Sequence, residues 1–115
     1  DVNRRDESGR TALMYAATGP NVDTVRVLLD AGADVNAADR GERWTALMFA
    51  AAEGQTEVVR LLLDRGADPE LRDADQDRAI EFARNNGHHE TVRLLEEASA
   101  RRADRTPSAP AAPVP

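Results

Sequence analysis

The chain repeats itself. RTALMYAAT (Arg10 to Thr18) returns as WTALMFAAA (Trp44 to Ala52), and TVRVLLDAGADVNAAD (Thr24 to Asp39) returns as VVRLLLDRGADPELRD (Val58 to Asp73), each 34 residues after its partner. A weaker third copy, RAIEFARNNGHHETVRLLEEAS (Arg78 to Ser99), follows 33 residues after the second. A fixed period of this length makes each copy one supersecondary unit that buries its apolar side against its neighbours.

The local pattern says what each unit is. Leu13, Ala16 and Ala17 stand at i, i+3 and i+4, one face of a short helix, and Leu47, Ala50 and Ala51 repeat that face, as do Ile80 and Ala83. A second helix follows, carrying Val25, Leu28 and Leu29, then Val59, Leu62 and Leu63, then Val92, Leu95 and Glu96. Thr11 and Thr45 are suited to cap the first helices, and Gly32 and Gly66 to end the second ones in a left-handed turn. Each unit therefore reads as two short helices and a polar loop. With aromatics at only 3%, the core has to be built from Ala, Leu and Val.

The two-helix period, TALM-x-AA at the first helix and V-x-x-LLD-x-GAD at the second together resemble the ankyrin repeat, over roughly residues 1–100. The resemblance implies an all-α solenoid of stacked helix-turn-helix units joined by hairpin loops. Two departures stand out. The family's Thr-Pro-Leu-His is Thr-Ala-Leu-Met at 11–14 and 45–48, so its threonine–histidine hydrogen bond is absent and Met14 and Met48 are expected to offer packing alone. Pro20 replaces the inter-helix glycine that Gly54 and Gly87 keep, and proline cannot take positive φ, so that loop should be distorted in repeat 1.

Residues 1–5 read as the remnant of a preceding repeat, because Asp1-Val2-Asn3 matches Asp34-Val35-Asn36. Repeat 1 spans 6–38, repeat 2 spans 39–72 and a capping repeat spans 73–100, where Arg78, Glu81, Arg84 and LLEEASARR bring charge to the outward side. Residues 101–115 are expected to be a disordered Pro/Ala-rich tail with the default meaning of a linker. The second helix of repeat 1 carries Val22, Val25, Val27, Leu28 and Leu29 and lacks a polar cap. It reads as a cut through a longer array, with self-association through this bare end as the alternative.

Chemistry is scarce. No cysteine is present, which removes disulfides, thiolate catalysis and cysteine metal sites. His88 and His89 lack converging ligands, and Gly87-His88 falls where the resemblance makes the histidine structural. DADQDRAIEFAR (Asp73 to Arg84) opens like a calcium loop but has Arg78 and Arg84 where glycine and a bidentate glutamate belong. Without lysine there is no phosphate-loop motif and no Schiff base, and Ser8, Ser99 and Ser108 form no convincing triad. Carboxylates recur at equivalent places such as Asp34 and Asp68, which fits turn duties. No catalytic group, cofactor or metal is expected.

The net charge is −6, and Arg4, Arg5, Arg10, Arg40 and Arg43 are interleaved with Asp6, Glu7, Asp39 and Glu42, so neither nucleic acid nor a membrane surface is an expected partner. No segment approaches the ~20 apolar residues of a membrane span. All fifteen basic residues are arginine and alanine is abundant, pointing to a GC-rich bacterial source and, with these exclusions, to a cytoplasmic chain.

What remains is a binding surface for another protein. In the ankyrin family that surface is made of hairpin tips and the exposed side of each first helix. Carried onto matching positions, the tips are Glu7, Ser8 and Arg10, then Arg40, Glu42, Arg43 and Trp44, then Ala74, Asp75 and Asp77. The helix positions are Thr18 and Gly19, Ala52 and Glu53, Asn85 and Asn86. Tyr15, Phe49 and Phe82 hold one place in the three repeats and read as framework. Trp44 ends a loop one residue longer than its sibling and aligns with Arg10 and Asp77; it is either a contact residue or a lid folded over the neighbouring hairpin, covering arginine stems. The rival to a free-standing binding module is a regulatory or targeting segment of a larger, enzymatic polypeptide.

Overall fold

The computed structural model describes residues 1–105. Six helices follow one another among them: α1 (Ala12–Ala17), α2 (Val22–Asp30), α3 (Ala46–Glu53), α4 (Thr56–Asp64), α5 (Ala79–Asn85) and α6 (His89–Arg105). Each odd helix packs on the even helix after it, α1 on α3 and α3 on α5, and α2 on α4 and α4 on α6. The result is two parallel layers of helices stacked repeat upon repeat, with hairpin loops projecting between them. The core lies between the layers and is widest at repeat 2, where Leu47, Met48, Ala50, Ala51, Val58, Val59 and Leu62 are all buried.

The first helices start on threonine. Thr11 and Thr45 each accept the N–H of the third helical residue, at 3.4 and 3.3 Å. The reciprocal bond comes from methionine: the Met14 and Met48 thioethers accept the Thr11 and Thr45 N–H groups at 3.4 Å. Packing alone was expected of both methionines, so this is a correction. Sulfur is a weak acceptor, but here it completes a capping box and satisfies a buried N–H. Repeat 3 reaches the same end with a carboxylate, Glu81 Oε1 accepting the Arg78 N–H at 2.9 Å.

Gly32 and Gly66 end α2 and α4 with φ of 96° and 94°, as their positions predicted. Pro20 has its expected effect. Gly54 caps α3 at φ 69°, whereas α1 stops at Ala17 on a right-handed Thr18 and is two residues shorter than α3. At the other end α6 runs to Arg105, five residues past the expected start of the tail. Apart from Asp104, residues 100–105 are alanines and arginines, strong helix formers, and the first tail proline comes only at Pro107. The remainder of the expected tail, 106–115, lies outside the described residues.

The units are tied together by asparagine. Asn36 Oδ1 accepts the Asp68 N–H at 2.8 Å while its Nδ2 donates to the Gly66 carbonyl at 3.3 Å. Asn3 does the same one repeat earlier, with the Asp34 N–H at 2.7 Å and the Gly32 carbonyl at 3.2 Å. The Asp-Val-Asn match at the chain start is thus a working inter-repeat link.

Candidate functional site

Three hairpins line one side of the stack, each opened by an aspartate. Asp6, Asp39 and Asp73 donate their N–H to the carbonyl oxygens of Arg10, Trp44 and Asp77 at 2.9, 3.0 and 2.9 Å. The same carboxylates accept the returning N–H of Arg10, Trp44 and Asp77 at 2.9, 2.9 and 2.8 Å. Repeat 2 spans one residue more between those partners, the extra residue the sequence shows. The residue before each return is left-handed: Gly9 at φ 80°, Arg43 at 63° and Gln76 at 71°. Successive tips are joined by backbone, Arg40 N–H to the Ser8 carbonyl at 3.3 Å and Ala74 N–H to the Glu42 carbonyl at 2.8 Å.

Below the tips, each repeat reaches into the next. Arg10 Nε donates to Asp39 Oδ2 at 3.3 Å, and the Trp44 indole Nε1 donates to Asp73 Oδ2 at 2.9 Å. Asp39 and Asp73 are buried, and these bonds complete their satisfaction. The Trp44 ring meets Phe49 and Phe82 edge-on, with centroids 5.2 and 5.3 Å apart, and the Arg10 guanidinium lies 5.1 Å from the Phe49 ring centre. Trp44 is therefore half-buried with its N–H already engaged. It folds over the neighbouring hairpin, the second of its two readings, although what it covers is phenylalanine and aspartate. Phe49 and Phe82 lie in the framework, as expected.

The other site residues divide in the same way. Thr18 is exposed, but its carbonyl accepts the Gln55 side chain at 3.1 Å and its hydroxyl donates to the Tyr15 carbonyl at 2.7 Å. Ala52 is half-buried and its carbonyl is bonded by Asn86 Nδ2 and His88 Nε2, both at 3.0 Å. Asn86 and His88 are thus inter-repeat ties. Asp77 is half-buried in its loop. By contrast Arg40, Glu42, Arg43, Glu53, Asp75 and Asn85 are exposed, and their side chains make no hydrogen bond or ion pair among the described residues. These six stand in two rows along the tips and the ends of the first helices. The sequence offered no sign of this division, because repeat alignment marks equivalent positions without saying which side chain is spent on a neighbour.

Charge is organised at the two ends. The Tyr15 hydroxyl donates to Asp6 Oδ2, and this bond, helped by the Arg10 N–H, holds Asp6 below the usual carboxylate range and raises the Tyr15 phenol. At the far end Ser99 and then Arg78 hold Glu70 low, and Arg78 holds Glu81 low against the upward push of burial. Arg78 bonds Glu81 Oε2 at 3.2 Å and Glu70 at 3.1 Å, and Arg102 bonds Asp68 at 3.2 Å. This network clasps α5 and α6 onto the loop of repeat 2.

The residues scanned for chemistry have local duties. Asp73, first of the calcium-like run, is spent on Trp44, Asp75 and Asp77. Among the described residues no group of three or more His, Asp or Glu is placed to hold a metal, and no helix is long and apolar enough to cross a membrane.

Comparison with known proteins agrees with this architecture. A family model described as ankyrin repeats (3 copies) matches residues 1–73. The chain is 51% identical over 41 residues to Inversin from Gallus gallus, covering 36% of this chain and 4% of that protein. It is 55% identical over 38 residues to the Ankyrin repeat and KH domain-containing protein mask from Drosophila melanogaster, covering 33% of this chain and 1% of that protein. Both relatives are animal proteins, so neither supports the bacterial source read from composition. The stacked helix pairs, the hairpin row and the family match agree: the chain belongs to the ankyrin-repeat family.

Proposed function

We propose that the chain is a non-catalytic module that binds a partner protein through its hairpin tips and first-helix ends. Ankyrin repeats are in general protein–protein interaction modules. The observation that carries the finer reading is the division of labour along the hairpins. Asp39, Asp73, Arg10 and Trp44 are consumed in holding the stack, while Arg40, Glu42, Arg43, Glu53, Asp75 and Asn85 are held out with no partner among the described residues. Rigid loop bases under unpaired charged tips lower the ordering cost of binding. The tips alternate in sign, so the matching partner surface alternates too. Nucleic acid and membrane stay outside the proposal on the acidic balance, and a cytoplasmic location belongs to it on the same composition.

A photoreactive side chain placed at Glu42 or at Glu57 tests the surface. Glu57 is exposed on the second-helix layer. The proposal requires covalent capture of one partner from Glu42 and none from Glu57; capture from Glu57 alone contradicts it. A second reading, a targeting or regulatory segment of a larger polypeptide, is favoured by the small share of each relative that the chain spans.

A further inference from the structure

The joint between the two helices of a repeat differs in each copy: Gly19-Pro20, then Glu53-Gly54, then Asn86-Gly87. Repeat 3 alone places an asparagine before the glycine. The chain's other asparagines, Asn3, Asn21, Asn36 and Asn85, precede Arg4, Val22, Ala37 and Asn86. The difference is chemical. A backbone nitrogen can attack the carboxamide carbon of the asparagine before it and close a cyclic imide, and a side chain on the attacking residue obstructs that approach. Glycine carries none. Gly87 is exposed at φ 75°, and even a Cβ there would meet nothing within 4 Å, so the space beside its nitrogen is open. Asn86 is also a structural tie. Its Nδ2 donates to the Ala52 carbonyl at 3.0 Å, where His88 Nε2 sits at the same distance. The Gly87 N–H donates to the Arg84 carbonyl at 3.1 Å and the His88 N–H to the Ala83 carbonyl at 2.9 Å, which closes α5 and sets the start of α6. The folded joint thus keeps both reacting groups, the carboxamide and the Gly87 N–H, in other bonds.

We propose that Asn86-Gly87 is a self-modification site, gated by opening of the α5–α6 joint, at which conversion of the asparagine to aspartate or isoaspartate releases repeat 3 from the Ala52 carbonyl. When the joint opens, the Gly87 nitrogen gives its proton to water or hydroxide and bonds to Asn86 Cγ. The Cγ–Nδ2 bond breaks, and ammonia leaves with a proton taken from solvent. Water then adds to one of the two imide carbonyls. Breaking the new N–Cγ bond yields aspartate; breaking the original backbone C–N bond yields isoaspartate, with the main chain rerouted through the side chain. Water is consumed and ammonia released, and nothing is oxidised or reduced. Either product has lost the N–H donor to Ala52 and gained a carboxylate, which has only acceptors to offer a carbonyl. Isoaspartate also lengthens the main chain by one carbon, which shifts the Gly87 and His88 N–H groups off the Arg84 and Ala83 carbonyls. A transient local opening is thereby made permanent.

The test ages the full chain in mildly alkaline buffer, folded and in urea, and maps the products by peptide mass spectrometry. Conversion is expected at position 86 ahead of 3, 21, 36 and 85, and slower in the folded chain than in urea by about tenfold, because only the open joint reacts. Folded His88→Ala, which lacks the second tie to Ala52, should convert faster than the natural chain. Ion exchange separates converted from unconverted chain by the added negative charge. Amide exchange at the start of α6 is expected to be about tenfold faster in the converted chain, the effect of a lost hydrogen bond and an unpaired carboxylate, with α3 unchanged. Asn86→Gln keeps an amide donor on a side chain too long to cyclise readily, and its α6 should stay protected through the same ageing. The proposal is overturned if the folded chain stays intact at 86 while the unfolded chain converts, or if both convert at one rate. It is equally overturned if His88→Ala converts no faster, if converted and unconverted chains exchange alike at α6, or if aged Asn86→Gln loses α6 protection as the natural chain does.

Discussion

Asp73 holds three donors at once: its Oδ1 accepts the Asp75 and Asp77 N–H groups and its Oδ2 accepts the Trp44 indole. Trp44→Phe keeps the ring against Phe49 and Phe82 but strips that donor from a carboxylate only 3% exposed. A loss of roughly 1–3 kcal/mol is expected, the cost of a hydrogen bond removed from a buried charge, and urea unfolding measures it. Gln76 makes the opposite case. It sits left-handed at φ 71° in register with Gly9 and its side chain is exposed. Gln76→Gly should stabilise by about 0.5–1 kcal/mol, strain relieved less the chain entropy of glycine; a lower melting point would count against that account. Folding of Trp44 over the next hairpin was one of its two sequence readings, but its bond to Asp73 and the left-handed Gln76 were not legible beforehand. Alignment paired Trp44 with Arg10, two unlike side chains, and concealed that both are N–H donors aimed at the same carboxylate one repeat on.

Helices and their caps were the readable level. The apolar stripes marked all six helices, and Pro20 against Gly54 foretold an altered inter-helix loop in repeat 1, though not that α1 would be two residues shorter than α3. The sulfur caps were hidden, because a methionine at the third helical position looks like core until its sulfur is seen facing an N–H. Gly54 binds two elements: a Cβ there would lie 2.5 Å from the His88 Nδ1, and its φ is 69°. Gly54→Ala is expected to cost about 1–2 kcal/mol or more through backbone strain alone, and to free the Ala52 carbonyl from His88, seen as faster amide exchange at the start of α6. The α5–α6 clasp has its own signature. Glu70 and Glu81 titrate below the ordinary value of 4.5 in the folded chain, so the unfolded chain binds more protons there. Their contribution is complete above that pH and is lost as the pH falls through the folded values. Acid should therefore loosen α6 before α3 and α4, which tryptophan emission and helix-resolved exchange can separate.

Across the whole molecule, stability is the sum of units and their interfaces. Repeat 2 has a neighbour on each side and, among the described residues, holds five of the ten largest fully buried side chains. Leu62→Ala there should remove about 2–5 kcal/mol, a large fraction of a small domain's stability. The architecture was legible because its period is printed in the sequence; the contact surface was only half so, since side chains spent on the stack and side chains left over occupy equivalent positions. The direct test of that surface is a titration of the captured partner against two double variants, Glu42→Ala/Arg43→Ala at the tips and Glu57→Ala/Arg60→Ala on the second-helix layer. The account predicts at least a tenfold loss of affinity for the tip variant, each hot-spot side chain being worth about 1 kcal/mol or more, with no change for the other. Equal affinities for both, with circular dichroism unaltered, would contradict it.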